Sequence, residues 1–196
     1  MAAEQSKAAK RRYSDGAFHQ RYFVGHGIDV GGKPDPLSRY VGAFARMRSC
    51  RTWDVEDGDA QHLLGVPDGS LDFLHSSHCL EHLQDPREGL ENWCRVVRPG
   101  GHVVVTVPDE DLYEQGVWPS RFNGDHKWTF TIHKAASWSP RSVSVLGLIT
   151  CLATPTAVER VVLQRDFFSE AAAAHSADQT LTPVAECCIE FVLRRE

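Results

Sequence analysis

Residues 23–32 read FVGHGIDVGG, a short apolar run that ends on two glycines. Such a run is typical of a buried strand that delivers the chain into a tight turn, so we expect a first strand that ends near Val30. The sequences LDFLHSS at residues 71–77 and HVVVTVP at residues 102–108 predict two more buried strands. Apolar runs of this kind, separated by turn and helix signals, favour an α/β protein with a parallel sheet.

Helix signals lie between these strands. Asp35 and Pro36 predict the start of a short helix, because the first can cap it and the second suits a first helical position. A second strand is expected at residues 50–54. A longer helix is predicted over residues 78–97, where apolar side chains recur at helical spacing, and the glycines of RPGG at residues 98–101 would end it.

The last third of the chain predicts a different pattern. The apolar stretch at residues 143–153 is well short of the ~20 residues that cross a bilayer, so we interpret it as a core helix. Two strands are expected at residues 158–165 and 185–194, separated by the alanine-rich segment 170–174. The sequence therefore predicts a mostly parallel sheet with a C-terminal antiparallel strand pair.

Composition limits the classes of function. The chain has 196 residues and a formal charge of -5, with 21 Lys and Arg against 26 Asp and Glu, which is the wrong sign for a domain that follows phosphate backbones. Its six cysteines form no C-x-x-C pair, and no secretion signal precedes the first strand, so we expect a cytoplasmic protein with neither nucleic acid nor a membrane as its partner. We interpret residues 1–22 as a leader or cap helix and residues 23–196 as one domain.

Acidic side chains follow two of the predicted strands. Asp29 comes directly before glycines that let the backbone approach a ligand closely. Asp54 lies 25 residues later, near the spacing at which a carboxylate accepts hydrogen bonds from ribose hydroxyls. Residues 59–61, Asp-Ala-Gln, offer an acceptor and an amide beside a small residue, which suits the amine and flat face of adenine. Together these residues predict a nucleoside site without phosphate clamps.

Four motifs occur in one order: GIDVGG at residues 27–32, GDAQHL at 58–63, VPDGSLDFLHSSHCLEHL at 66–83 and RVVRPGGHVVVTVPDED at 95–111. Together they resemble the class I S-adenosylmethionine-dependent methyltransferases, and in particular the small type 11 proteins. The resemblance covers roughly residues 26–112. It implies a Rossmann-like three-layer sandwich, S-adenosylmethionine as the cofactor, and methyl transfer to a hydroxyl or amine of a small molecule such as a sugar or secondary metabolite.

The resemblance also implies roles for individual residues. Asp29 and Gly31 would line the methionine side of the cofactor with Gly32, and Asp54 would bind the ribose. Those bordering the adenine would be Asp59, Ala60 and Gln61, and those facing the amino-acid moiety and the methyl group would be Ser76, Ser77 and His78. Two features depart from the family pattern. Lys33 stands where a third glycine is usual, and the acidic stretch after Asp54 is short, so that Glu56 or Asp57 is an alternative ribose ligand.

The segment 109–138 is rich in aromatic and polar residues and follows the last ligand-facing strand, so we interpret it as a substrate-binding insertion. His126 is the candidate general base, since histidine removes protons near neutral pH. The candidate substrate contacts are Tyr113, Asn123, Asp125 and Trp128.

Other functions remain open. A catalytically inactive binding module with the same fold would explain Lys33 and the short acidic stretch. His78, Glu81 and His82 also match the H-x-x-E-H pattern of zinc hydrolases, although no distant third ligand is identifiable and we expect no metal. A nicotinamide dehydrogenase is disfavoured, because the glycines lack the G-x-G-x-x-G spacing.

Overall fold

The computed structural model describes residues 4–196, in which a 3₁₀ helix lies between the first two strands, no helix lies between the second and third, and an α-helix lies between the third and fourth. The elements, in chain order, are α1 (Glu4–Tyr13), β1 (Gly25–Val30), β2 (Met47–Trp53), β3 (Leu71–Ser77), α2 (Pro86–Val96), β4 (Val97–Pro108), β5 (Thr129–Thr131), β6 (Ser142–Ser144), α3 (Val145–Thr150), β7 (Thr156–Gln164), α4 (Glu170–Ala174) and β8 (Cys188–Arg195).

Six strands form one sheet in the order β2-β1-β3-β4-β8-β7. The first four are parallel to one another, and β8 is inserted antiparallel to both β4 and β7. The short strands β5 and β6 form a separate parallel pair. The predicted fold, a mostly parallel sheet with a C-terminal antiparallel pair, is confirmed.

The two faces of the sheet carry separate cores. Val103 and Val105 of β4 belong to the core that α2 covers with Trp93, whereas Val104 belongs to the opposite core, which contains Phe23 and Phe73. This alternation follows from the two-residue period of a strand. The protein is therefore a three-layer sandwich, with the parallel strand ends meeting along one edge.

The long helix predicted over residues 78–97 is wrong at its start. The structure divides this segment into a 3₁₀ turn at Leu80–His82 and the helix α2, which begins at Pro86. Proline disfavours helical backbone at the residue before it, and Asp85 is extended and caps α2 by accepting hydrogen bonds from the backbone N–H groups of Arg87 and Glu88. His78, Glu81 and His82 therefore lie outside α2, near the carboxyl ends of the strands.

Two other predicted helices differ in part from expectation. The short helix expected after Asp35 is a seven-residue 3₁₀ helix, Leu37–Ala43, which Asp35 does not cap. Of the apolar stretch 143–153, the first two residues pair in β6, and Ser144 then caps α3 through a hydrogen bond from the N–H of Gly147. Strand pairing explains this, because β-branched residues at the start of the stretch favour extended backbone.

Helix α1 lies against the sheet rather than apart from it. The ammonium of Lys7 donates to the carbonyls of Thr180 and Ala185, at 2.7 and 2.9 Å. The first three residues of the predicted leader lie outside the described residues. Among residues 4–196, no helix combines the length and apolar character that a membrane crossing requires.

Candidate active site

A cavity of about 250 Å³ lies at the carboxyl ends of β1, β3 and β4. This is the edge of an open α/β sheet at which ligands bind. The predicted site residues that the structure brings together around it are Asp29, Gly31, Gly32, Ser77, His78, Tyr113, Asn123 and His126.

Asp29 shapes the loop that follows β1. Its side chain is buried, Oδ2 accepts from the N–H of Leu37 at 2.6 Å, and Oδ1 lies 2.6 Å from Nδ1 of His75. A Cβ atom on Gly32 would lie only 2.3 Å from Oδ2, and Gly31 has a φ of +70°. The loop can therefore wrap around the carboxylate only because both positions are glycine.

A row of buried polar side chains continues from Asp29 across the sheet. Arg12 of α1 contacts Nε2 of His75 at 3.0 Å and donates from Nε to Glu190 of β8 at 2.8 Å. Because arginine only donates, Nε2 of His75 must accept, and its Nδ1–H donates to Asp29. Burial lowers the pKa of His75, which agrees with a neutral ring. We call Asp29, His75, Arg12 and Glu190 the buried polar row.

His78 stands at the end of β3 in an unusual conformation. Its φ is +55°, in the left-handed region, and its N–H donates to the carbonyl of Thr106 at 2.9 Å. Ser77 Oγ lies 3.1 Å from Nδ1 of His78. Burial lowers the pKa of His78 to about 3, so the ring is neutral at physiological pH. Backbone strain of this kind concentrates at functional sites.

His126 forms the polar centre of the opposite wall. Its Nδ1 lies 2.8 Å from Oε1 of Glu114, and its Nε2 lies 3.9 Å from Oε1 of Glu81. Burial acts to lower the pKa of His126, but the hydrogen bond with Glu114 and the charge of Glu81 outweigh it and raise the pKa. Burial also raises the pKa of Glu81 to about 7. We call Glu81, Glu114 and His126 the histidine–glutamate cluster.

Local structure brings this cluster together. Glu114 ends a π-helical turn, Glu110–Glu114, which Asp109 caps by accepting from two backbone N–H groups. The N–H of Lys127 donates to the carbonyl of Glu81 at 2.9 Å, which fixes the segment carrying His126 against the 3₁₀ turn at Leu80–His82.

Two of the predicted substrate contacts lie at the cavity and two do not. Tyr113 and Asn123 line it, and the ring of Tyr113 is 5.3 Å from that of His126. The carbonyl of Asp125 lies 3.2 Å from Nδ1 of His82, and the indole N–H of Trp128 donates to the carbonyl of Leu83. Asp125 and Trp128 thus contact His82 and Leu83 without lining the cavity themselves.

Asp54 lies at the end of β2, outside the cavity and next to the loop that follows β1. Its Oδ2 accepts from the N–H of Lys33 and its Oδ1 from the N–H of Val55, each at 2.9 Å. The side chain of Lys33 forms an ion pair with Glu56, and Asp57 accepts from the N–H of Asp54. The alternative ribose ligands Glu56 and Asp57 thus each have one partner within the loops after β1 and β2.

The predicted adenine contacts are engaged in structural hydrogen bonds. The amide of Gln61 donates to Glu88 and accepts from the N–H of Asp85, and the carbonyl of Ala60 accepts from Trp93. Asp59 accepts from the N–H of Gln61. In the neighbouring strand, Ser76 Oγ donates to the carbonyl of Val30. Asp59, Ala60, Gln61 and Ser76 lie outside the cavity, and their roles toward the cofactor stay predictions that this bonding does not favour.

The H-x-x-E-H pattern does not form the arrangement of a zinc hydrolase. That arrangement needs two histidines one turn apart on one α-helix. Here His78 is left-handed and His82 ends a 3₁₀ turn. A single sequence carries no signal for Glu114. This residue falls in a segment without periodicity, and it meets His126, 12 positions away, only in the folded chain.

Comparisons with known proteins bear on the family and the fold of the chain. Residues 35–105 match the family model described as a methyltransferase domain. A sequence of 69 residues, 35% of the chain, is 43% identical to an uncharacterized 37.1 kDa protein in transposon TN4556 of Streptomyces fradiae, and 79 residues, 40% of the chain, are 30% identical to ajmaline N-methyltransferase of Rauvolfia serpentina. The matches span only 20% and 26% of the lengths of those two proteins.

The fold has solved counterparts. A crystal structure of a SAM-dependent methyltransferase from Archaeoglobus fulgidus superposes with a TM-score of 0.59 over 99% of this chain and 95% of that one, at 16% identity. At this identity the likeness concerns the fold. The architecture around the cavity is thus one that other proteins share.

Proposed function

We propose that this chain, whose fold is that of the class I S-adenosylmethionine-dependent methyltransferases, transfers a methyl group from S-adenosylmethionine to a hydroxyl or amine of a small molecule. The observation that carries the proposal is one cavity at the ends of β1 and β3, lined on one side by Asp29 with its glycine loop and on the other by Glu81 and His126 of the histidine–glutamate cluster. One end offers a binding loop and the other a base, and both are needed for transfer to a neutral acceptor.

The residues present fit the cofactor at its methionine end. Gly31 and Gly32 leave the loop backbone open to the cavity, and Ser77 and His78 border the same space. Asp54 fits the ribose only in part, since two of its roughly four acceptor positions are taken by backbone N–H groups. The remaining positions are free to accept from vicinal hydroxyls of a nucleoside at the rim.

S-adenosylmethionine, when bound, supplies an electrophilic methyl group. The protein's own contribution is to hold the acceptor in line and to remove its proton. Because Nδ1–H of His126 donates to Glu114, the lone pair of Nε2 is left for the acceptor. Glu114 and Glu81 both stabilise the imidazolium that forms, the first by a hydrogen bond and the second by its charge.

The shape of the cavity favours a small acceptor. Its volume of about 250 Å³ is below the ~300–1,000 Å³ of common ligand pockets, and the methionine end of the cofactor would take part of that space. Tyr113 offers a flat ring and Asn123 an amide beside His126. We therefore expect an acceptor that presents one hydroxyl or amine to Nε2 of His126, with its remaining atoms at the surface.

Calorimetric titration with S-adenosylhomocysteine tests the binding half of this proposal. We expect binding by the natural chain, at least ~10-fold weaker binding by Asp29→Asn, and unchanged binding by His126→Ala. Absence of binding at high micromolar concentration would contradict the proposal and favour a module without the cofactor.

Transfer of labelled methyl to a panel of small alcohols and amines tests the catalytic half. His126→Ala is expected to lower turnover by about 10²-fold. Unchanged turnover would remove His126 from the role of base while leaving the cofactor site intact. Binding without transfer to any acceptor, in the natural chain, would instead support an inactive module.

A further inference from the structure

Three side chains that could ligate a metal ion meet on one wall of the cavity. They are Glu81 and His82 of the 3₁₀ turn and His126 from the segment packed against it, and one ligand atom from each lies within 4.8 Å of the others. We propose that Glu81, His82 and His126 bind one divalent transition-metal ion of the kind represented by Zn²⁺. We call these residues the metal triad.

Glu81 gives the first argument for the metal triad. Its side chain is wholly buried, and neither carboxylate oxygen has a hydrogen-bond partner among residues 4–196. Burying a carboxylate that accepts no hydrogen bond carries a free-energy cost. A metal ion between the three side chains would remove this cost.

The two histidines give the second argument. Nδ1 of His82 lies 3.2 Å from the carbonyl oxygen of Asp125, which can only accept, so this nitrogen carries the proton. Nδ1 of His126 likewise donates to the carboxylate of Glu114. Both rings therefore keep the lone pair on Nε2. Metal-bound histidines are held in this way, with the second ring nitrogen donating to a carboxylate or a backbone carbonyl.

All three ligand atoms lie within 4.8 Å of one another, and one of the distances between them is close to that found around a bound ion. Zinc bonds of about 2.0–2.1 Å in a tetrahedral site separate two ligand atoms by roughly 3.3 Å. Nε2 of His126 and Oε1 of Glu81 are 3.9 Å apart, so this pair must close by only about 0.6 Å. The hydrogen bond from the N–H of Lys127 to the carbonyl of Glu81 holds the two backbones together, so side-chain rotation is enough.

The ligand types select the class of ion. Imidazole suits zinc, copper, nickel and iron, whereas magnesium and calcium prefer sites made of oxygen atoms alone. Two imidazoles and one carboxylate leave at least one coordination position for water or a ligand. All three residues line the cavity, so that position faces the space in which we place the methyl acceptor.

The metal triad goes beyond the proposed function, and a bound ion would lower the proposed methyl-transfer activity. A bound ion takes the Nε2 lone pair that His126 needs as a base, so we expect metal to inhibit methyl transfer. Binding of the metal is measured without cofactor or acceptor. Failure of the metal site and failure of the proposed activity are therefore separate results.

Calorimetric titration of the chelator-treated full chain with ZnCl₂ tests the site. We expect one ion per chain with micromolar affinity, weakened at least ~10-fold in His82→Ala and in Glu81→Gln. The matched control is His62→Ala, which removes an exposed histidine that also stands beside two carboxylates, those of Asp59 and Glu88. Its affinity should equal that of the natural chain.

Titration with Co²⁺ adds a readout of geometry, because visible absorption distinguishes a tetrahedral nitrogen and oxygen site from hydrated ion. Circular dichroism of each variant shows whether it is folded. If Glu81→Gln does not fold, His82→Ala is the variant that tests the site. Absence of Zn²⁺ binding in the natural chain, equal affinity in all variants, or loss of binding in His62→Ala would each overturn the metal triad.

Discussion

Replacing Arg12 with methionine should destabilise the protein mainly through Glu190. Burial acts to raise the pKa of Glu190, but the charges of Arg12 and Arg11 lower it from an ordinary 4.5 to about 2. At about 1.4 kcal/mol for each pH unit, this corresponds to about 3 kcal/mol of stability. Arg11 and Arg160 remain beside Glu190 after this change, at 3.1 and 3.3 Å, so only part of that figure is lost through Glu190. We expect Arg12→Met to lower the free energy of unfolding at pH 7 by about 2 kcal/mol, less than the ~3–5 kcal/mol of a buried charge left with no partner.

The pH dependence of that loss has a definite sign. A carboxylate whose pKa is lowered in the folded state stabilises it above the pKa of the unfolded state, and this contribution disappears as pH falls toward the folded-state value. The contribution of Glu190 should therefore be complete above about pH 5 and should shrink to about 1 kcal/mol at pH 3. The difference between the natural chain and Arg12→Met should narrow over the same range.

Urea denaturation followed by tryptophan fluorescence, in steps from pH 7 to pH 3, measures both effects. Arg98→Met is the matched control, since Arg98 pairs with Asp72 at the surface and its loss should cost less than about 1 kcal/mol. A loss below about 1 kcal/mol for Arg12→Met at pH 7, or a difference that stays constant on acidification, would refute this account of the buried polar row.

Three further predictions concern the cavity and the helix behind it, with a chelator present in every activity assay. Gly32→Ala places a Cβ atom 2.3 Å from Oδ2 of Asp29 and should weaken S-adenosylhomocysteine binding, measured by calorimetry, whereas Gly42→Ala meets no atom within 4 Å among residues 4–196 and should not. Glu114→Gln keeps an acceptor for His126 but loses the charge, so turnover should fall ~10-fold or more without a change in that binding. Asp85→Ala removes the cap of α2 and should cost about 1 kcal/mol in urea denaturation; equal stability would show that the cap contributes little.

The strands were predictable because their signal is local. The run at residues 102–108 is rich in β-branched residues and ends at a proline, and it forms the C-terminal part of β4, the longest strand among residues 4–196. The error in the helix over residues 78–97 also has a local cause. Apolar residues recur at helical spacing on both sides of Asp85 and Pro86 and suggest one helix, although that pair marks a helix start. Turn chemistry was the stronger signal there.

One wall of the candidate site was predictable because its residues lie at the ends of strands. Asp29, Ser77 and His78 do so, and they meet at one cavity because parallel strands end on the same edge. Glu114 reaches His126 through the fold of the segment between them, and Arg12 reaches Glu190 across 178 positions. Neither contact leaves a pattern in a single sequence.

The position of β8 has a consequence for how the chain is made. This strand is synthesised after the other seven, yet it is inserted between β4 and β7 and also carries Glu190. During translation the valine-rich strand β4 therefore has one unpaired edge until residues 188–195 leave the ribosome. Contacts of such high sequence separation form slowly, and exposed strand edges aggregate. Ribosomes stalled shortly before β8 should therefore display a nascent chain that depends on chaperones for its solubility.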